Sequence, residues 1–367
     1  MYSVLTNGII YTGEKEITGK SLLIRNDLID SIVENKSIPK DAEIIDCQGN
    51  IISPGFIDLQ IAGAGGYLFS SNLHKKALDS IAGSIIKSGT TGFLIVLPTN
   101  SPEVYRSAIK TIKENPQSAV LGLHLEGPFI STARRGAHAV KYINKPGKKE
   151  VNDILKDAAG VVKMVTLAPE ICTEEIVRQI SGYGIVVCAG HSNATFDEAM
   201  KGFSWGIKAV THLFNAMSPV HHRDPGLPGA AFLSENIMAS IVADGIHVDY
   251  AMLSIAKRIM NERLYLVSDA VEESTEAAVH HIRQKDRFTL PDGTLSGSAL
   301  TMMKAVQNCV ENARIPLNEA LRMASTYPAR LMGWDKTGRI EPGYKADLVV
   351  FDKYFAVKQV IKNGKSI

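Results

Sequence analysis

Titratable side chains stand at or just beyond the ends of several apolar runs in this sequence. They are His124, Glu126, His191, His212, His247 and Asp269. A single histidine in such a place is more often a hydrogen-bonded structural residue than a ligand. The recurrence of the pattern in five separate runs favours a shared chemical site.

Two imidazole nitrogens and one carboxylate oxygen, with an open position for water, form a known catalytic metal set. Glu126, His191 and His212 supply these ligand types, so we expect them to bind a divalent cation. His124 lies two residues before Glu126 and therefore faces the same side of a strand. We assign the ligand to Glu126, which is nearer the end of the strand, and expect His124 to be hydrogen-bonded inside the fold.

These residues can meet only if the apolar runs are parallel strands that end at one edge. Between the runs, stretches such as "TEEIVRQISGYG" carry apolar residues at helical spacing. The runs span residues 55–61, 92–98, 120–126, 162–168, 184–191, 208–214, 238–245 and 264–270. Eight buried strands separated by helices predict an α/β fold, a (β/α)8 TIM-type barrel with its active site at the carboxyl ends of the strands. A doubly wound sheet is the alternative, but it does not need eight such units.

Both ends of the chain have the pattern of β-structure. The first fifty residues alternate short apolar runs with turns, and the last thirty do so again, with Asn363-Gly364 as a hairpin turn. We therefore predict a small β-sandwich domain built from both chain termini. Its parts are residues 1–52 and 336–367, and the catalytic barrel comprises residues 53–335.

Length, charge and cysteine content narrow the class of protein. The 367 residues carry 40 Lys and Arg against 38 Asp and Glu, with no long basic run, so we expect no nucleic-acid partner. No apolar run reaches membrane-spanning length and no signal peptide is recognisable, so we expect no membrane association. The four cysteines lack Cys-x-x-Cys spacing, which fits thiols in a reducing cytoplasm.

A series of ordered motifs covers essentially the whole chain. The motifs are "PGFID", "HLEGPF", "AGHSNAT", "THLFNAM", "ADGIHVD", "SDA", "LSGSALTM" and "GYKADLVVFD". Together they resemble the N-acetylglucosamine-6-phosphate deacetylases of the amidohydrolase superfamily, and "HLEGPF", "GHSNAT" and "THLFNAM" are the most specific. The resemblance implies metal-dependent hydrolysis of the N-acetyl group of N-acetylglucosamine 6-phosphate, giving glucosamine 6-phosphate and acetate in amino-sugar catabolism.

The resemblance also bears on the number of metal ions. Members of this family dispense with some or all of the His-x-His pair on the first barrel strand, where this chain has Gln60 and Ala62. One divalent cation per chain on Glu126, His191 and His212 is therefore implied. Zinc suits this ligand set best, although iron, manganese or cobalt can occupy the same ligands. We expect Gln60 to contact water or a ligand residue rather than the metal.

Further roles follow from the resemblance. Asp269 is implied to be the general base that takes a proton from water and returns it to the departing amine. His138 is implied to position or polarise the acetyl carbonyl. The implied substrate contacts are Ala137, Asn215, Ala216, Arg223, His247, Leu295, Ser296 and Gly297. The Arg223 and His247 positions are associated with the phosphate, in part across the interface of a homodimer or homotetramer.

One segment, residues 271–294, departs from the family pattern. It reads "VEESTEAAVHHIRQKDRFTLPDGT", whereas typical members have a "TAPAG"-like turn and a longer hairpin. The preference between gluco and galacto epimers therefore stays open, and we expect His280 and His281 to face solvent.

Three alternatives to this function remain. An N-acetylgalactosamine-6-phosphate deacetylase is one, and a deaminase or dihydroorotase-like enzyme is another, although the latter is expected to keep the first-strand histidine pair. The third is a non-catalytic amidohydrolase-like binding protein, which would tend to lose ligands or the base.

Overall fold

The computed structural model describes residues 2–274 and 278–367, and three residues of the 271–294 segment therefore lie outside the described residues. The strands are β1 (Tyr2–Thr6), β2 (Ile9–Tyr11), β3 (Glu16–Ile17), β4 (Lys20–Arg25), β5 (Leu28–Glu34), β6 (Glu43–Asp46), β7 (Ile51–Pro54), β8 (Phe56–Ile61), β9 (Gly63–Ala64), β10 (Tyr67–Leu68), β11 (Thr90–Pro98), β12 (Val120–Glu126), β13 (Val162–Leu167), β14 (Val186–Ala189), β15 (Ala209–Val210), β16 (Met238–Ile241), β17 (Leu264–Leu266), β18 (Ile282–Arg283), β19 (Arg287–Thr289), β20 (Leu295–Ser298), β21 (Leu348–Phe351), β22 (Val357–Lys362) and β23 (Lys365–Ser366).

Helices separate the barrel strands and follow them. They are α1 (Lys75–Lys87), α2 (Pro102–Glu114), α3 (Lys148–Leu155), α4 (Glu174–Gly182), α5 (Phe196–Ser204), α6 (Gly226–Leu233), α7 (Tyr250–Met260), α8 (Met302–Glu311), α9 (Leu317–Ala324) and α10 (Thr326–Leu331). Capping side chains determine where two of these helices begin. Thr195 and Glu198 form a reciprocal capping box at the start of α5, and the Asp249 side chain accepts a backbone N–H at the start of α7.

A parallel sheet of eight strands forms the barrel. Its strand order is β8, β11, β12, β13, β14, β15, β16, β17, so neighbours in the sheet are also consecutive barrel strands along the chain. A parallel bridge between Ile61 and Ala270 connects the two edges, and the Ala62 amide donates to the Ala270 carbonyl at 2.8 Å. A doubly wound sheet has open edges and a reversal of strand order. The predicted (β/α)8 barrel is thus confirmed.

The small β-structure joins the two ends of the chain. One sheet has the order β5-β4-β1-β6, and a second has the order β23-β22-β21-β7-β2-β3. A single buried cluster contains residues of both sheets, including Leu5 and Leu22 of the first and Ile52, Leu348 and Val350 of the second. Because this cluster draws on strands near both termini, the predicted β-sandwich from the two chain ends is confirmed.

Contact density divides the chain into two units. One comprises Met1–Asp58, Ile85–Gly92 and Thr301–Ile367, and the other comprises Leu59–Ser84 and Phe93–Leu300. The predicted boundaries, with the barrel at residues 53–335 and the β domain at 1–52 and 336–367, stay a prediction. Within the described ranges, no helix is both long and apolar enough to cross a membrane.

Candidate active site

The sequence-predicted site residues lie where barrel strands end. Glu126 is the last residue of β12, His191 follows the end of β14, and His212 follows the end of β15. Asp269 follows the end of β17 in the same way. Strands β14, β15 and β17 end before their apolar runs do, because the chain turns away from the sheet there.

Backbone strain is concentrated at the same positions. His191, His212, Ala216 and Asp269 have φ angles of 45°, 34°, 48° and 54°. Residues other than glycine seldom adopt positive φ, and such conformations persist only where surrounding structure enforces them. Their clustering at one end of the barrel points to a functional site.

Three ligand atoms converge at this end of the barrel. Nε2 of His212 lies 3.0 Å from Oε1 of Glu126, and Nε2 of His191 lies 3.3 Å from the same oxygen. The two Nε2 atoms are 3.0 Å apart. All three side chains are buried.

The hydrogen bonds around His191 test whether a cation fits between these atoms. Its Nδ1 lies 3.1 Å from the carbonyl oxygen of Arg134, an acceptor, so the proton of the neutral ring is on Nδ1. Nε2 then carries a lone pair close to a carboxylate oxygen. Two acceptors at this distance repel each other unless a cation lies between them. The donor set therefore fits a divalent cation.

The electrostatics favour positive charge at the same point. Burial acts to raise the pKa of Glu126, but the imidazoles packed around the carboxylate outweigh it and hold this pKa well below its ordinary value. Burial acts to lower the pKa of His212, yet the hydrogen bond and charge of Glu126 prevail and raise it. Glu126 is consequently an ionised carboxylate in a buried site.

Gln60 connects this carboxylate to Asp269. The Nε2 group of Gln60 donates to Oε1 of Glu126 at 2.9 Å and to Oδ1 of Asp269 at 3.0 Å. Burial and the negative charge of Glu126 raise the pKa of Asp269. The contact with Glu126 agrees with the expectation that Gln60 touches a ligand residue, whereas the sequence did not indicate the contact with Asp269.

His138 contacts the other oxygen of Glu126, with Nε2 3.4 Å from Oε2. The Thr99 amide donates to Nδ1 of His138 at 3.1 Å, and Oγ1 of Thr99 lies 2.8 Å from that nitrogen. Since Nδ1 accepts the amide hydrogen, the neutral ring carries its proton on Nε2. No pattern in the sequence indicated Thr99.

His124 lies deeper in the barrel, as expected. Its Nδ1 is 3.0 Å from the Leu59 carbonyl and its Nε2 is 2.7 Å from Oγ1 of Thr166. Both ring nitrogens are therefore engaged, and burial lowers the pKa of His124 to about 4. This histidine is a neutral structural residue, consistent with the choice of Glu126 as the ligand.

A cavity of about 250 Å³ opens onto these groups. Glu126, His191 and His212 line it together with Asp269 and His138. The sequence-predicted substrate contacts that also line it are Ala137, Asn215, Ala216, His247, Leu295, Ser296 and Gly297.

Arg223 is the exception among the sequence-predicted contacts. It is exposed and does not line the cavity. Its role in phosphate binding stays a prediction.

His247 is held by a carboxylate that the sequence analysis did not single out. Oδ2 of Asp244 lies 2.6 Å from Nδ1 of His247, and Oδ1 of Asp244 accepts the backbone amide of His247 at 2.8 Å. Both side chains are largely buried. The three-residue spacing within "ADGIHVD" is the signal that could have identified Asp244.

The expectation that both adjacent histidines face solvent is wrong for His281. His280 is exposed, but His281 is 6% exposed and lines the cavity. Nδ1 of His281 lies 3.0 Å from Oγ of Ser296. The polar composition of the segment suggested exposure, whereas the backbone bridge to Ser274 and the contact with Ser296 hold His281 inward.

Comparison with known proteins gives consistent relatives over the whole chain. The sequence pattern of the amidohydrolase family matches residues 51–367, and that of the NagA composite domain matches residues 1–52. N-acetylglucosamine-6-phosphate deacetylase of Haemophilus influenzae is 34% identical over 379 residues, which cover 100% of this chain and 99% of the relative. The enzyme of that name from Homo sapiens is 36% identical, with 88% of this chain and 84% of the relative covered.

Solved structures agree with these relatives. The crystal structure of N-acetylglucosamine-6-phosphate deacetylase from Pasteurella multocida superposes with a TM-score of 0.96 at 34% identity, with all of both chains covered. A mutant of the Mycobacterium smegmatis enzyme in complex with N-acetyl-D-glucosamine-6-phosphate gives a TM-score of 0.92 at 27% identity. That match covers 100% of this chain and 99% of the other.

Proposed function

The chain belongs to the amidohydrolase family and, within it, to the N-acetylglucosamine-6-phosphate deacetylases, and we propose that it hydrolyses the acetamide of N-acetylglucosamine 6-phosphate. The products are glucosamine 6-phosphate and acetate. The observation that carries this proposal is the convergence of Glu126, His191 and His212 beside Asp269 and His138 in one cavity.

Glu126, His191 and His212 hold one divalent cation, which we propose to be zinc. When bound there, the cation supplies a Lewis acid that acidifies water and polarises a carbonyl. A single site is supported by the first barrel strand, where Ala62 offers no ligand atom and the Gln60 amide is hydrogen-bonded to two carboxylates. Two imidazoles and one carboxylate suit zinc, and iron, manganese or cobalt can compete for the same ligands.

Asp269 moves the proton. Its raised pKa suits a carboxylate that must accept a proton from the attacking water and then donate it to the amine nitrogen. Without that second transfer, the amine would have to leave as an anion. The hydrogen bond from Gln60 fixes the carboxylate beside Glu126, so the proton acceptor and the metal ligands keep their relative positions.

His138 acts on the acetyl carbonyl. The Thr99 amide donates to Nδ1 of His138, so the proton of the ring is on Nε2 and this nitrogen is a hydrogen-bond donor. Because the ring lines the cavity beside Glu126, this donor can hydrogen-bond the carbonyl oxygen and stabilise the negative charge that develops there during attack.

The remaining cavity residues bind the phosphosugar. His247, held in place by Asp244, lines the cavity, and we assign it to the phosphate. Asn215 and Ala216 border the sugar on one side, and Ala137 borders it beside His138. The segment 295–297 also lines the cavity.

Arg223 contributes to the phosphate site of a second subunit in our proposal. Its exposure outside the cavity of its own chain is consistent with a role across an interface. Met252, Ile255 and Ile259 form an exposed apolar stripe on α7, and such patches often mark surfaces for association. A homodimer, or a tetramer built from dimers, would cover this stripe.

The buried thiols suggest where the enzyme works. All four cysteines are buried and none forms a disulfide. Unlinked cysteines suit a reducing compartment. We propose the cytoplasm.

The experiment that tests this function measures acetate and ammonia release from N-acetylglucosamine 6-phosphate, its galacto epimer and the sugar without phosphate. We expect acetate only, metal dependence, and a preference for phosphorylated substrates. His191→Ala should lose bound metal and acetate release together, whereas His280→Ala, a change at an exposed histidine, should lose neither. Ammonia release, or turnover that persists without metal, would exclude the proposed reaction.

A further inference from the structure

His281 occupies a place in the cavity wall that the proposed reaction does not explain. Its backbone pairs with Ser274 in an antiparallel bridge, with amide-to-carbonyl distances of 3.2 and 3.3 Å. Successive residues of an extended chain point to opposite sides, so His280 faces outward when His281 faces inward. The inward position of His281 is therefore set by backbone pairing.

The hydrogen bonds of the His281 ring leave one nitrogen available. Nδ1 lies 3.0 Å from Oγ of Ser296, which is itself buried on β20. Burial lowers the pKa of His281 to about 4, so the ring is neutral near pH 7 and offers one donor and one acceptor. Among residues 2–274 and 278–367, no group hydrogen-bonds Nε2, and the ring lines the cavity.

The surroundings of His281 indicate what Nε2 recognises. The cavity wall nearby includes the apolar side chains of Val271, Val279 and Leu295. A polar atom in such a wall is costly to desolvate unless the ligand provides a partner. A neutral imidazole suits an uncharged hydroxyl group better than a phosphate, which calls for a cation.

We propose that His281 determines sugar specificity by hydrogen-bonding a ring hydroxyl of the substrate through Nε2, while Ser296 holds Nδ1. This inference rests on the proposed function, in which the acetamide lies at the metal ligands and the phosphate at His247. The hydroxyl groups of the sugar ring are then the polar groups of the substrate that the rest of the cavity wall, including His281, recognises.

A matched pair of substitutions separates the two ring nitrogens. The amide of asparagine can reach the position of Nδ1, so His281→Asn keeps the bond to Ser296 and loses the substrate contact. The amide of glutamine extends as far as Nε2, so His281→Gln keeps the substrate contact and loses the bond to Ser296. His280→Asn is the control, because that side chain is exposed.

The measurement is kcat/KM for N-acetylglucosamine 6-phosphate, its galacto epimer, and analogues that each lack one ring hydroxyl. His281→Asn should lower kcat/KM on the full sugar by about tenfold to a hundredfold, as expected for a polar group left without its partner. It should have little effect on the one analogue that lacks the recognised hydroxyl. His281→Gln should retain more activity than His281→Asn, and His280→Asn should match the wild type.

Three outcomes would overturn the inference while leaving the proposed function intact. They are wild-type activity of His281→Asn on every sugar, equal losses on every sugar, and greater loss in His281→Gln than in His281→Asn. Thermal unfolding of each variant identifies any loss that comes from misfolding. Failure of the wild type to release acetate from any of these sugars would instead overturn the proposed function, and this inference with it.

Discussion

Two carboxylates line one cavity, the buried Glu126 and the half-buried Asp269, and their different surroundings suit them to different roles. Three imidazoles surround Glu126 and hold its pKa down, whereas burial and Glu126 itself raise the pKa of Asp269. A carboxylate that stays ionised suits a cation, and one whose pKa is raised suits proton transfer. The Gln60 amide, which donates to both, keeps the two groups together without supplying a second metal ligand.

The protonation of His281 should make the unfolding free energy depend on pH. Its folded pKa, about 4, lies below the ordinary value of 6.5, so the unfolded chain binds more protons between these two values. The stability due to a neutral His281 is therefore fully present above pH 6.5 and is lost as the pH falls towards 4. The loss is on the order of 3 kcal/mol at most.

Urea unfolding of the wild type and His281→Asn between pH 7.5 and pH 4.5 measures this effect. The unfolding free energy of the wild type should fall more steeply with acidification, because asparagine does not titrate. Parallel pH profiles for the two proteins would show that His281 is not kept neutral by the fold.

At the scale of elements, the turns after the barrel strands position the site. Gly127 follows β12 with a φ of 92°, and a Cβ there would lie 2.1 Å from Oγ1 of Thr99. Thr99 in turn holds Nδ1 of His138. The glycine in "HLEGPF" is thus required by the close approach of the threonine that orients a site histidine.

Gly127→Ala should therefore disturb the site from outside the cavity. The added methyl group must displace Thr99, so we expect kcat/KM to fall by about tenfold or more and the unfolding free energy to fall by about 2 kcal/mol. Gly83→Ala is the matched control, because an added Cβ meets nothing within 4 Å on the exposed face of α1. That control should gain about 0.5–1 kcal/mol of stability and keep full activity. Equal behaviour of the two variants would contradict this account of Gly127.

Sequence periodicity predicted the elements well because buried barrel strands must be apolar along their whole length. The same reasoning placed Glu126, His191 and His212 at one end, since parallel strands share their carboxyl edge. It could not reveal that His281 faces inward, because its contacts with Ser274 and Ser296 depend on how the chain folds and not on local composition. The contact of Gln60 with Asp269 was hidden for the same reason.

At the scale of the whole molecule, Arg223 raises the question of subunit number. Arg223 is exposed and does not line the cavity of its own chain. To bind the phosphate of a substrate from that position, it would have to extend into the cavity of another chain. A two-fold interface would supply each site with one such residue from the neighbour. Each active site would then need residues of two chains, with Arg223 supplied by the neighbour.

Heterodimers of Arg223→Ala with Asp269→Asn test this dependence. In such a dimer, one site combines an intact Asp269 with an intact Arg223 from the other chain. Tandem-purified heterodimers should therefore show about half of the wild-type activity on the phosphosugar, although each parent is impaired. Activity no higher than half that of the Arg223→Ala parent would show that Arg223 does not act across an interface.

The division of labour between Glu126 and Asp269 is the central claim, and the turnover number of metal-loaded Asp269→Asn tests it most directly. Asparagine keeps the shape of the side chain but cannot accept or return a proton, and the three metal ligands are unchanged. We expect metal content and substrate binding close to the wild type and a turnover number about a hundredfold to ten-thousandfold lower. Asp41→Asn, at an exposed position, should keep full turnover. Near-normal acetate release by Asp269→Asn with its metal in place would contradict the account.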